Sequence, residues 1–114
     1  MRQESALLLL ALLTAPAAAL ADCIQDQYGN VVCGAGECTR DQYSKVFCAP
    51  VGGGALRDNH GTVKCGIGHC ARDRDGEVWC STVPGGGAAL DAYGKVKCYK
   101  GCEVGTTERC APGQ

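Results

Sequence analysis

The chain has 114 residues, ten cysteines and a formal net charge of −1, from 11 basic and 12 acidic side chains. With no basic excess, nucleic acid is not an expected partner. One phenylalanine and one tryptophan promise only a thin apolar core, so cross-links are expected to carry part of the stability.

Residues 1–21 read as an export signal. Arg2 gives a positive start, tempered by Glu4, and Ala6 to Leu13 is a short apolar run. That run is too short to span a bilayer. Ala19-Leu20-Ala21 is an A-x-A site, so cleavage is expected after Ala21 and the product is secreted or periplasmic. Leu20-Ala21-Asp22-Cys23 approaches a lipoprotein box. Asp22 stands where that box needs a small residue, so simple release ranks above lipid anchoring. No later stretch reads as a transmembrane segment.

Residues 22–114 are expected to form a single domain built on Asp-x-x-Gly-x-Val-x-Cys. The copies start at Asp26, Asp41, Asp58, Asp73 and Asp91 and end at Cys33, Cys48, Cys65, Cys80 and Cys98. Ser44 replaces the glycine in the second. Asp favours the first position of a type I turn, and glycine the fourth, where φ turns positive. Such a turn closes a three-residue hairpin loop with a bulge. The pattern therefore predicts hairpins at about 23–33, 38–48, 55–65, 70–80 and 88–98, in an all-β meander or ladder with no helix after the signal. Stacked hairpins would bury the repeated valines on one face. Residues 99–114 lack a second turn signal and read as a degenerate cap.

An even cysteine count behind an export signal predicts five bridges. The turn register puts Cys23 opposite Cys33, Cys38 opposite Cys48 and Cys70 opposite Cys80, at separations a disulfide can close. By extension Cys102 is assigned to Cys110, leaving Cys65 for Cys98. A rival scheme joins neighbours across the links, Cys33–Cys38, Cys65–Cys70 and Cys98–Cys102. It leaves Cys23, Cys48, Cys80 and Cys110 to pair over distance. Spacing alone does not choose between them.

The third turn residue varies: Tyr28, Tyr43, His60, Asp75 and Tyr93. Rings on regularly spaced tips could stack on sugars or on a protein partner, having a flat apolar body and a polar end. The simpler expectation, ranked first, is that each ring folds back over its own hairpin or its neighbour. Cys65, Cys70, His60 and His69 include zinc-type ligands, but their spacing is loose and disulfides compete. No cofactor or metal is expected. Hydrolysis would need a nucleophile beside a histidine and an acid, and the two histidines fall on turns or links. No catalytic residue is assigned, and the protein is not expected to be an enzyme.

The run Cys-x-x-Asp-x-x-Gly-x-Val-x-Cys, with Cys65-Gly66-Ile67-Gly68-His69-Cys70 and Pro84-Gly85-Gly86-Gly87-Ala88, resembles a group of small exported cysteine-repeat proteins of bacteria. The resemblance implies export and a repeat architecture, and assigns no activity. A looser similarity is to cell-wall-binding repeats, also strings of short aromatic hairpins. Those are rich in tryptophan and poor in cysteine, and they carry no ligand site onto this chain. The expected function is a structural or interaction role at the cell envelope or outside the cell. The alternatives are a glycan- or protein-binding module using the tip rings, and a thiol-based metal-binding protein.

Overall fold

A computed structural model describes residues 22–114. The expected export signal, residues 1–21, lies outside the described residues. The described chain is all-β, with twelve short strands in small antiparallel sheets.

Five hairpins follow one another. They are β1 (Asp22–Gln25) with β2 (Val31–Gly34), β3 (Cys38–Arg40) with β4 (Val46–Cys48), and β5 (Ala55–Arg57) with β6 (Val63–Cys65). Then come β7 (Cys70–Arg72) with β8 (Val78–Ser81), and β9 (Ala88–Leu90) with β10 (Val96–Cys98). Two final strands, β11 (Cys102–Val104) and β12 (Ala111–Pro112), belong to no hairpin of their own.

Turn chemistry sets every register. In the first turn Asp26 Oδ1 accepts from the backbone N–H of Tyr28 at 2.9 Å and of Asn30 at 3.0 Å. Gly29 takes φ +80°, which costs a glycine nothing. Asp41, Asp58, Asp73 and Asp91 repeat the same pair of bonds. Ser44 adopts φ 65° where the other copies have glycine. The result is Cys23 opposite Cys33, Cys38 opposite Cys48 and Cys70 opposite Cys80, each pair bridged.

The hairpins stack through backbone bonds at the turns and links. The N–H groups of Gln42, Asn59 and Arg74 donate to the carbonyls of Gly61, Gly76 and Gly94, each on the following turn. The links repeat at about 32 residues, the length of two hairpins. Glu37 N–H donates to Gly53 and His69 N–H to Gly86; Gly66 N–H donates to Gly54 and Tyr99 N–H to Gly87. Stacking buries Val46, Val63 and Val78 at the centre.

The outer hairpins depart from the expected valine face. Val96 is only half-buried, and Val31 is 65% exposed. Hairpin one packs with its other face: Ile24 and Val32 lie against Cys38, Val46 and Cys48.

The cap expectation is corrected. Lys100 and Gly101 both take positive φ, and Gly101 N–H closes a turn onto Cys98. The chain reverses there. Between Glu103 and Arg109 no Asp-x-x-Gly signal turns it again, so it runs back along the ladder as a strap. β11 pairs with β8 in hairpin four. Thr106 exchanges both backbone bonds with Cys65 in hairpin three. β12 pairs with β4 in hairpin two, and Gln114 exchanges bonds with Cys33 in hairpin one.

The strap explains why two of the expected disulfides are replaced. Cys102–Cys110 and Cys65–Cys98 do not form. An extended strap carries Cys102 and Cys110 to different hairpins, so they cannot meet. Cys102 instead bonds Cys98 across the reversal, with Cα atoms 5.1 Å apart. Cys110 reaches Cys65, 5.3 Å away, and locks the strap to hairpin three. Of the rival scheme's three named bridges, Cys98–Cys102 is present; Cys33–Cys38 and Cys65–Cys70 are replaced by the hairpin bridges and the strap bridge.

Candidate functional site

The turns form one edge of the ladder, and their third residues stand in solvent. Tyr28, Tyr43 and Tyr93 are 79%, 75% and 80% exposed, so these rings do not fold back over their hairpins. His60 and Asp75 are exposed between them. Backbone bonds tie turns two to five into a row, which places Tyr43, His60, Asp75 and Tyr93 on one continuous edge. Tyr28 lies on the first turn, which takes no part in the Gln42, Asn59 and Arg74 series.

The turn carboxylates are committed to structure. Asp73 Oδ2 accepts from Trp79 Nε1 at 2.9 Å, while its other oxygen holds the turn. The indole bond, joined by the backbone N–H of Glu77, holds the Asp73 carboxyl below its ordinary value of 3.8. The backbone N–H of Lys95 does the same to Asp91. At Asp58 burial pulls upward, but the N–H groups of His60 and Thr62, with Lys64, prevail and lower it. Lys64 Nζ lies 3.6 Å from Asp58. Carboxyls held ionised in this way are poor proton donors near neutral pH.

The cysteines offer no thiolate, because all ten are paired. Cys65 and Cys70, considered above with His60 and His69 as metal ligands, are bound to Cys110 and Cys80. Among the described residues no group of three or more His, Cys, Asp or Glu is arranged to hold a metal ion.

Sequence reasoning located the turn tips and gave no role to the aromatic residues beside them. Phe47 and Trp79 occupy the same register position in hairpins two and four, opposite Thr39 and Ala71. Lys64 and Lys97 take that position in hairpins three and five. Rings at this one register position in alternate hairpins were the available signal. Both rings are half-buried and line grooves between successive hairpins.

Comparison with known protein families, with curated proteins and with solved structures finds no match for this chain.

Proposed function

We propose that the protein is exported and serves as a non-catalytic interaction scaffold at the cell envelope or outside the cell. It presents its turn edge to an envelope component or a protein partner. The observation that carries this reading is the exposure of three tyrosines at Asp-fixed turns, those of Tyr43 and Tyr93 held further by stacked backbone bonds. A tyrosine on a fixed backbone has only two side-chain torsions to order on binding, which is why tyrosine recurs at recognition surfaces.

Five disulfides favour an oxidising compartment. Among the described residues no helix is long and apolar enough to cross a membrane. The paired cysteines count against the thiol-based metal reading, since the thiolate is the ligand that chemistry needs.

Co-sedimentation with a cell-envelope fraction of the producing host tests the reading. The wild type should sediment. A Tyr28→Ala/Tyr43→Ala/Tyr93→Ala variant with an unchanged melting temperature should lose about tenfold or more in retention. Retention equal to wild type in that variant, or none in the wild type, would overturn the proposal.

A further inference from the structure

Two grooves in this ladder are copies of one another. The first lies between hairpins two and three and is lined by Asp41, Phe47, Gly61, Val63 and Cys110, with a volume of about 220 Å³. The second lies between hairpins four and five and is lined by Asp73, Trp79, Gly94, Val96 and Cys102, with a volume of about 370 Å³. Each combines a turn carboxylate, a strand-borne ring, the Gly-x-Val of the next hairpin and a strap cysteine, and Tyr43 adds a second ring to the first. The intervening groove, between hairpins three and four, breaks the pattern. Its walls carry Asp58, His60, Lys64, Asp75 and Glu77, with no phenyl or indole ring.

We infer that the two ring-lined grooves are equivalent binding sites for a neutral glycan chain, each taking a sugar ring against Phe47 or Trp79. This rests on the interaction-scaffold reading but centres on Phe47 and Trp79; of the turn tips, Tyr43 lines the first groove and Asp75 the second.

Three observations favour that occupant. First, neither groove is lined by more than one unbalanced charge. Asp73 and Asp75 are balanced by Arg74 and Lys95 in one. In the other, Asp41 is the one charged lining residue, and the Lys45 ammonium lies outside the lining, 5.6 Å from the centre of the Phe47 ring. Second, the Trp79 N–H is already given to Asp73. The indole therefore offers its flat apolar face, while the turn and its neighbours supply polar groups around it, the mixture that suits an amphipathic ring. Third, a peptide added as a further strand would need an unpaired strand edge. The strands bearing the rings have none: β4 lies between β3 and β12, and β8 between β7 and β11. Repetition of the same groove at a fixed interval fits a polymer of repeating units.

Calorimetry with two probes tests this: a β-1,4-linked N-acetylglucosamine hexamer and a β-linked glucose hexamer. At least one should bind at two sites per chain. Phe47→Leu and Trp79→Leu should each leave one site, and the double variant none. Trp79→Phe should retain both, and Lys64→Ala, in the intervening groove, should leave binding unchanged. Should a Leu variant fold poorly, amide shifts of the wild type decide the matter: Val63 and Val96 should move on titration and Val78 should not. No binding of either hexamer at about 1 mM, the weakest affinity worth assigning here, would overturn the inference. So would a stoichiometry indifferent to the rings, or binding of a proline-rich peptide alone. Envelope retention of a Tyr28→Ala/Tyr93→Ala variant, whose rings line neither groove, reads the tips, and hexamer binding reads Phe47 and Trp79, so failure of one is distinguishable from failure of the other.

Discussion

A Cys65→Ala/Cys110→Ala variant should lose about 4 kcal/mol of stability, the largest single loss among the five bridges. Two effects set that size. This bridge closes a loop with sequence separation 45, against 10 for each hairpin bridge and 4 for Cys98–Cys102. Loop-closure entropy grows with that separation, so removing Cys98–Cys102 should cost only about 2 kcal/mol. The Cys65–Cys110 bridge also fixes the strap at its midpoint, beside the Thr106 bonds to Cys65. Cys65 is fully buried, so losing its sulfur leaves unfilled space as well. In a domain of this size the expected fall in melting temperature is about 15–30 °C. A smaller loss here than at Cys98–Cys102, measured in parallel by thermal unfolding, would mean that the strap contributes little.

Gly66→Ala should destabilise by about 3 kcal/mol or more, at the upper end for an overpacked core. A Cβ at Gly66 would lie 2.2 Å from Cys80 Cβ and 2.4 Å from its sulfur. Cys80 is fully buried and tied to Cys70, so it has nowhere to move. The same relation recurs one structural repeat earlier, where a Cβ at Gly34 would lie 2.3 Å from Cys48 Cβ. Gly34→Ala should therefore behave like Gly66→Ala. Gly87→Ala is the contrast: its Cβ would meet nothing within 4 Å and its φ is not positive. It should stay within about 0.5 kcal/mol of wild type. Denaturant midpoints of the three variants measure this; a Gly66→Ala midpoint close to that of Gly87→Ala would contradict the packing described.

These two predictions separate what a linear pattern reveals from what it hides. The hairpins were legible because each is made by its own residues: Asp26 captures the amides of Tyr28 and Asn30, and the register with Cys23 opposite Cys33 follows. The tips were legible for the same local reason. The strap was not, because its partners lie on four different hairpins and no motif marks them. Thr106 to Cys65 and Gln114 to Cys33 are backbone pairings that any side chains could accompany. The one local hint is Lys100-Gly101, a left-handed pair that reverses the chain before Cys102. Missing that reversal misassigned Cys102, Cys110, Cys65 and Cys98 together.

Val31 misled in a different way. It holds the repeat position of Val46, Val63 and Val78, yet hairpin one presents Ile24 and Val32 to its neighbour instead. Both faces of that hairpin are apolar, so alternation could not choose between them. The grooves were half legible. Phe47 and Trp79 were visible as ring-bearing positions, but a groove needs the next hairpin and the strap as walls, and neither is encoded beside the ring.

The returning strap is the central claim, and non-reducing peptide mapping of the native protein tests it most directly. Cleavage between the cysteines should yield a peptide joining Cys65 to Cys110 and one joining Cys98 to Cys102. Recovery of Cys102 joined to Cys110, or of Cys65 joined to Cys98, would show that residues 102–114 form a local cap and that the strap does not exist.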